Sequence, residues 1–172
     1  GGGNIDIRGV NFSNANQTIR SGFSNASGGG ETTTGGHVDI QATGTATLGT
    51  INTENLGDGG YLTIVSDGDI TQASGTLDVS ELTTLNANSN SDGRAGHIVL
   101  SVATNEFESG VYIIDANNVT LNDTNAIVLG DVAGTSNIQG DLTVTANGTI
   151  TDNGNLSVTA ATTLTAGTNA IT

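Results

Sequence analysis

The sequence contains no cysteine, proline, methionine, tryptophan or lysine, and its aromatic residues are two Tyr and three Phe among 172 residues. The absence of cysteine excludes disulfide bonds and thiolate chemistry. The absence of proline, which cannot donate to a strand ladder, suits strands with hydrogen-bonded neighbours on both sides. With so few large side chains, Val, Ile, Leu and Ala are left to form a thin core.

The charge is one-sided. Seventeen acidic residues stand against three arginines, Arg8, Arg20 and Arg94, which gives a formal net charge of −14. Binding to a nucleic-acid backbone needs clustered basic residues, so we expect no nucleic-acid partner. No run of about 20 apolar residues is present, so we expect no membrane span, and no signal peptide is recognisable. The start in mid-motif, without Met, leads us to expect an internal fragment of a much longer chain.

A short motif recurs, in which two glycines precede alternating apolar residues. Its copies are GGNIDI at 2–7, GGHVDI at 35–40 and GGYLTI at 59–64, with a looser copy, AGHIVL, at 95–100. Apolar residues elsewhere recur with a separation of about 21, in the range of solenoid repeats, as in Leu77/Ile98, Ile98/Val119, Leu121/Leu142, Ile150/Ile171 and, slightly farther apart, Leu142/Leu164. Strand-like alternation is broken by Asn and Gly turns every few residues.

These features predict an all-β fold in which residues 1–172 form one parallel β-helix. The unit is too short for a propeller blade and too rich in Gly and β-branched residues for a helix. We expect about eight coils of roughly 21 residues, each strand pairing with its equivalent one coil later, about 4.8 Å along the axis. Leu142 and Leu164 are expected to stack one coil apart and to point inward, with Thr143 pointing outward.

Two stretches interrupt the period and are expected to form loop excursions. They span residues 11–34 and 86–96, where solenoids often have their binding function. Residues 10–19, which overlap the first stretch, could instead form a small strand outside the β-helix.

The chain resembles the repeat region of filamentous haemagglutinin-type exoproteins, the large secreted partners of bacterial two-partner secretion. The segments responsible are GGHVDI, GGYLTIVSDGDITQASGTLDV, NNVTLNDTNAIVLGDVAG and GDLTVTANGTITDNGNLSVTAATTLTAGTNAIT. The resemblance implies a right-handed β-helical shaft at the surface of a Gram-negative bacterium. It also implies export through an outer-membrane partner that recognises an N-terminal domain absent from this sequence.

We therefore expect a structural shaft of a secreted, surface-displayed adhesin, with receptors or glycans on host or neighbouring cells as partners. Two alternatives stay open: a β-helical polysaccharide lyase or hydrolase, and the stalk of a contact-dependent toxin. We expect no enzymatic activity, and no catalytic, cofactor-binding or metal-binding residues.

Four sets of residues could nevertheless bind or react. His37 and His97 occupy the same motif position as Asn4 and Tyr61, so a column of turn residues is favoured over a metal site. Asp58, Asp67 and Asp69 lack the tandem repeat of calcium-binding solenoids. Glu106 and Glu108 are a conceivable pair for glycoside hydrolysis, although we expect the carboxylates to lie on turns and outward faces, without a close pair in a cleft.

The fourth set comprises Asn and Thr residues. Seven Asn-x-Ser/Thr sequons could be glycosylated: Asn11, Asn16, Asn25, Asn118, Asn122, Asn147 and Asn155. Thr-x-Thr at 143–145 and 163–165 could belong to an ice-binding array. However, TATLGT at 45–50 and NVTLND at 118–123 are not expected to extend it as one regular column.

Overall fold

A computed structural model describes residues 3–21, 33–54, 57–132 and 134–172, with the backbone alone described at 33, 34, 57 and 58. These residues contain 22 short β-strands, numbered β1 to β22 along the chain, and no helix. Every strand pairing among them is parallel. The all-β, parallel solenoid expected from the sequence is confirmed. Since the described residues form no helix, they include none long and apolar enough to cross a membrane.

Successive strands of each coil belong to different sheets. The first sheet contains β1 (Ile5–Gly9), β5 (Val38–Ala42), β9 (Leu62–Ser66), β12 (Thr83–Asn86), β15 (Val111–Asp115), β17 (Ile127–Leu129) and β20 (Ile150–Asp152). The second sheet contains β2 (Phe12–Ser13), β6 (Ala46–Leu48), β10 (Ile70–Gln72), β13 (Ile98–Leu100), β16 (Val119–Asp123), β19 (Leu142–Ala146) and β22 (Thr162–Thr165).

The remaining sheets are smaller. The third sheet contains β3 (Thr18–Arg20), β7 (Thr50–Asn52), β11 (Leu77–Val79) and β14 (Glu106–Phe107). Two further pairs are β18 (Thr135–Ile138) with β21 (Asn155–Val158), and β4 (Thr33–Thr34) with β8 (Gly57–Asp58).

The core lies between the sheets. It consists of the residues of each strand whose side chains point inward, which alternate with residues that point outward. In β5, Val38 and Ile40 are fully buried, whereas the intervening Asp39 is not. Buried side chains from Val38 to Ala166 form one continuous cluster along the solenoid. Each coil is too thin to form a core alone, so its apolar residues are buried only when neighbouring coils stack on it.

The expected eight coils are not supported. Five strands of the first sheet (β1, β5, β9, β12 and β15) follow one another in an extended ladder, which corresponds to about five turns. Within the described chain, neither long sheet contains more than seven strands. Coil length also varies. Ile98 pairs with Val119, whereas Phe12 pairs with Ala46, and the sequence separation in the second pair is larger than in the first by more than half.

The register partly follows the apolar spacing. The pairs Ile98/Val119 and Ile150/Ile171 are confirmed. The expected stack of Leu142 on Leu164 is wrong, since Leu142 pairs with Thr162 and Leu164 with Val144. A two-residue offset leaves the same side chains facing inward, because side-chain direction in a strand has a period of two.

Two other expected pairs are also wrong. Leu121 pairs with Val144 rather than Leu142. Leu77 pairs with Ile51 in the third sheet, whereas Ile98 pairs with Ile70 in the second sheet. The spacing between Leu77 and Ile98 therefore does not reflect one column.

The two expected loop excursions differ. The stretch 11–34 is not wholly a loop, because it contains β2 and β3, which belong to the second and third sheets. These strands are part of the solenoid and not an extra strand outside it, while residues 22–32 lie outside the described residues. In the stretch 86–96, which is described throughout, Asn86 ends β12 and no strand follows until Ile98, and residues 89–94 are exposed.

The inward and outward directions of β19 predict opposite responses to the same substitution. Leu142→Asp would bury an unpaired carboxyl in a side-chain position that is 1% exposed, and should lower the free energy of unfolding by several kcal/mol. Thr143→Asp, directed outward from the same strand, should cost well under about 1 kcal/mol. Thermal or denaturant unfolding of the two variants measures this, and equal losses would contradict the assigned directions.

Candidate functional site

The residues that precede the first three strands of the first sheet form a column at the first corner of the solenoid. The Asn4 Oδ1 atom accepts the backbone N–H of His37 at 3.1 Å, and the His37 Nδ1 atom accepts that of Tyr61 at 3.1 Å. The His37 and Tyr61 rings also lie against each other, with centroids 4.6 Å apart. Each of these two acceptors thus binds the backbone of the next coil.

A longer column of the same kind precedes the strands of the second sheet, at the second corner. Its members are Asn11, Thr45, Asp69, His97, Asn118, Asp141 and Ala161. Side-chain acceptors of five members bind the N–H of the next member above them, at 3.0 Å for Asn11, 2.8 Å for Asp69, 3.4 Å for His97, 2.9 Å for Asn118 and 3.0 Å for Asp141. We call this set the second corner column.

Glycine precedes several of these corner residues because successive coils approach closely there. A Cβ atom on Gly60 would clash with the carbonyl oxygen of Gly36, and one on Gly36 with that of Gly3. Gly96 meets the backbone of Gly68 in the same way at the second corner. The recurring Gly-acceptor-strand motif is therefore the sequence of a corner.

The two histidines do not share one column. His37 stands at the first corner with Asn4 and Tyr61, as expected, but His97 stands at the second corner between Asp69 and Asn118. The same Gly-acceptor-strand sequence serves both corners, which is why AGHIVL resembles the first-corner motif. Each histidine uses its Nδ1 lone pair to accept a backbone N–H, so that atom is occupied.

Two of the three calcium candidates have structural hydrogen bonds. Asp69 belongs to the second corner column, and the Asp67 Oδ1 atom contacts the Ser89 hydroxyl. The side chain of Asp58 lies outside the described part of the structure. Across the side chains that are described, no group of three or more His, Asp or Glu residues could hold a metal ion.

Carboxylates gather on the outer side of the third sheet, which is one of the outward faces on which they were expected. Asp78 pairs in register with Asn52 on one side and Glu106 on the other. The Asn52 Nδ2 group donates to the Asp78 Oδ2 atom at 2.6 Å. Desolvation, followed by the charges of Glu54, Glu106 and Glu108, raises the pKa of Asp78 to about 6.

An open cavity of about 250 Å³ adjoins this acidic surface. It is lined by Glu106, Phe107, Glu108, Asp123, Asn125 and Ala126. Desolvation raises the pKa of Asp123, and its hydrogen bonds from the Asn125 and Phe107 N–H groups oppose that rise.

The conceivable pair Glu106 and Glu108 therefore lies at one cavity, although its carboxylates have other neighbours. Desolvation and the Glu106 charge raise the pKa of Glu108, as expected for closely grouped acids. The Glu106 Oε1 atom accepts the Asn125 Nδ2 group at 2.5 Å.

The outward side of the second sheet forms an almost unbroken threonine column. Its members in register are Ser13, Thr47, Thr71, Val99, Thr120, Thr143 and Thr163. TATLGT and NVTLND each supply one threonine to this column, Thr47 and Thr120, but neither extends the Thr-x-Thr array. A second outward column contains threonine only at Thr145 and Thr165, with Asn122 in register, so the Thr-x-Thr array is limited to two coils of the described sheet.

The sequons fall mainly on the surface. Five of the asparagines are exposed and Asn122 is half-buried, whereas Asn25 lies outside the described residues; the exposed ones are Asn11, Asn16, Asn118, Asn147 and Asn155. Among these, Asn11 and Asn118 accept hydrogen bonds in the second corner column through their side-chain oxygens. Their amide nitrogens, to which a glycan would be attached, do not take part in those bonds.

Comparison with family models gives two matches, over residues 35–113 and 116–172, to the family described as "Repeats of unknown function (DUF5649)". The chain belongs to this repeat family. The boundary between the two matched segments falls at the end of β15, where the first-sheet ladder continues to β17 through the single pair Val111/Leu129. The comparisons with curated proteins and with solved structures gave no significant match.

Asp141 tests the second corner column because two substitutions there differ only in the acceptor. Asp141→Ala removes the acceptor of the Ala161 N–H group and should destabilise the protein by about 1 kcal/mol. Asp141→Asn keeps an oxygen in place and should lose much less. Chemical denaturation followed by circular dichroism gives both values, and an equal loss in the two variants would argue against the hydrogen-bonded column.

Proposed function

We propose that this chain is part of the structural shaft of a secreted, surface-displayed bacterial adhesin. The observation that supports this most directly is the continuous core from Val38 to Ala166 beneath in-register parallel ladders. Such an arrangement adds length by repetition, about 4.8 Å for each coil, and each coil contacts only its neighbours.

The composition supports the same proposal. A net charge of −14 favours a solvated surface that resists self-association. The resemblance to filamentous haemagglutinin-type repeats supplies the rest: display away from a Gram-negative cell, and export through an outer-membrane partner. Membership in a repeat family is compatible with a shaft built from many such units.

Attachment would come from an irregular segment rather than from the regular sheets. Residues 89–94 lie between β12 and β13 and are exposed. Ser91 and Gly93 have φ values of 54° and 80°, so this loop makes tight left-handed turns. The residues on either side of the loop are hydrogen-bonded through their backbones. The Ala87 N–H group donates to the backbone carbonyl oxygen of Asp115 at 2.8 Å, and the Gly96 N–H group donates to that of Ala87 at 2.7 Å. We propose that residues 89–94 contact a receptor or glycan.

A polysaccharide hydrolase is the second candidate, and the cavity beside Glu106, Glu108 and Asp123 is the observation that favours it. Glycosidases use two carboxylates, one with a raised pKa as the general acid. Here, however, both oxygens of Asp123 accept backbone N–H groups and Glu106 accepts an amide. The arrangement therefore favours structural roles for these two carboxylates over a pair free to act on a sugar.

Replacing residues 90–94 with two glycines tests whether attachment depends on the loop while the shaft stays folded. Because the ladder lies outside these residues, the variant should keep its melting temperature within a few degrees and its rod-like scattering profile. Beads coated with it should attach to target cells several-fold less than beads coated with the unchanged chain. The control replaces residues 159 and 160, an exposed bend after β21, with two glycines and should attach normally.

Equal attachment of both variants would exclude this loop as the contact.

Incubation of the unchanged chain with acidic and neutral polysaccharides should release no reducing ends. Depolymerisation that is abolished by Glu108→Gln would overturn the shaft proposal in favour of the hydrolase.

A further inference from the structure

We propose that the acidic side of the third sheet is a pH-sensitive joint, which holds β11 and β14 together in mildly acidic surroundings and loosens as its carboxyl groups lose their protons. The proposal goes beyond the shaft function, because it concerns how firmly one part of the rod is closed. It rests on the way in which the ladder stacks like charges.

Register places the charges next to each other. Leu77 and Val79 are fully buried, so Asp78 between them faces outward. Its neighbour on β14 is Glu106, and in-register side chains of parallel strands lie about 4.8 Å apart. Like charges placed directly opposite each other on neighbouring strands destabilise the pairing.

Further acids face the same point from each neighbouring element. Glu54 follows β7 and interacts with Asp78, Glu108 follows β14, and Glu81 interacts with Glu108. Asp123 interacts with Glu106 from the other side. The amide of Asn52 is the neutral neighbour of Asp78.

The compensating cation lies farther away. Arg20 on β3 pairs with Asn52, which places it two strands from Asp78, roughly 10 Å along the axis. The charges that shift the pKa of Asp78 all belong to acidic residues. The chain contains no lysine that could serve instead.

The pairing at the joint is short, with two register pairs, as is the pairing of β7 with β11. The pairing of β11 with β14 comprises only Asp78/Glu106 and Val79/Phe107, and in the described chain the sheet ends at β14. The Glu108 N–H group adds one bond to the Val79 oxygen at 3.0 Å. A local repulsion therefore opposes few backbone hydrogen bonds.

The direction of the effect follows from proton binding. The pKa of Asp78 rises from 3.8 to about 6, first through desolvation and then through the neighbouring acids, and the pKa of Glu108 rises for the same reasons. The folded state thus holds these protons more tightly than the unfolded chain. The resulting stabilisation is complete below about pH 4 and is lost as the pH rises through about 6.

The experiment combines a direct titration with one matched pair of variants. The ¹³Cγ chemical shift of Asp78 in the unchanged chain should titrate with a midpoint near 6, and Glu106→Gln should lower that midpoint. The melting temperature of the unchanged chain should fall between pH 4.5 and pH 7.5. Asp78→Asn should flatten much of this fall and melt higher than the unchanged chain at pH 7.5, whereas Asp39→Asn, on the first sheet, should keep it.

Hydrogen exchange then tests whether the effect is local. After correction for intrinsic exchange, the Glu108 amide should lose at least threefold protection between pH 5 and pH 7.5. The Val119 amide, which donates to the backbone carbonyl oxygen of Asp141 in the second sheet, should keep its protection. A midpoint below about 4.5 for Asp78 would overturn the proposal, as would equal pH dependence in the Asp78→Asn and Asp39→Asn variants, or equal loss of protection at Glu108 and Val119.

Discussion

Every described strand of this protein depends on hydrogen bonds that run along the axis of the solenoid from one coil to the next. Among these strands, none is longer than five residues, and none pairs with its sequence neighbour in a hairpin. A coil can form its axial bonds only if each corner lies directly above the corner below. The corner residues Asn4, His37, Asp69, His97, Asn118 and Asp141 meet this constraint by accepting the backbone N–H group of the next coil.

The glycines and the core follow from the same constraint. Glycine before a corner residue allows the two backbones to approach, as at Gly36 and Gly60. Once the corners are aligned, the inward residues of successive strands stack and bury one another. The excursions between strands can then differ in length without disturbing the ladder, which explains how one molecule contains both the short coil from Ile98 to Val119 and the long coil from Phe12 to Ala46.

The same stacking can destabilise the outer surface. Outward side chains of paired strands lie side by side, so residues of like charge in register repel each other. On the second sheet the outward column is nearly all threonine, and its neutral side chains stack without repulsion. On the third sheet the equivalent column is Arg20, Asn52, Asp78 and Glu106, in which two carboxylates are adjacent. The sequence alone indicates an acidic chain, but only the register shows where the acids meet.

Alternation of apolar and polar residues was sufficient to predict the fold class and the inward direction of Leu142. It could not determine the register, because an offset of two residues, as between Leu142 and Val144 opposite Leu164, preserves the alternation. The likeness of GGHVDI to AGHIVL misled for a physical reason: both corners need glycine followed by an acceptor. The acidic cluster was missed because the coils that bring Asp78 beside Asn52 and Glu106 are longer than the repeat expected from the apolar spacing.

The absence of cysteine allows the register to be measured directly. The structure pairs Asn122 with Thr145, whereas the spacing of Leu121 and Leu142 would pair Asn122 with Thr143. The double variant Asn122→Cys/Thr145→Cys should form a disulfide readily, since paired residues have Cα atoms about 5 Å apart. In Asn122→Cys/Thr143→Cys the separation is about 8 Å, too long for a bridge without backbone movement. Efficient oxidation of the first pair alone is the expected result, and preferential oxidation of the second would contradict the corner-determined register.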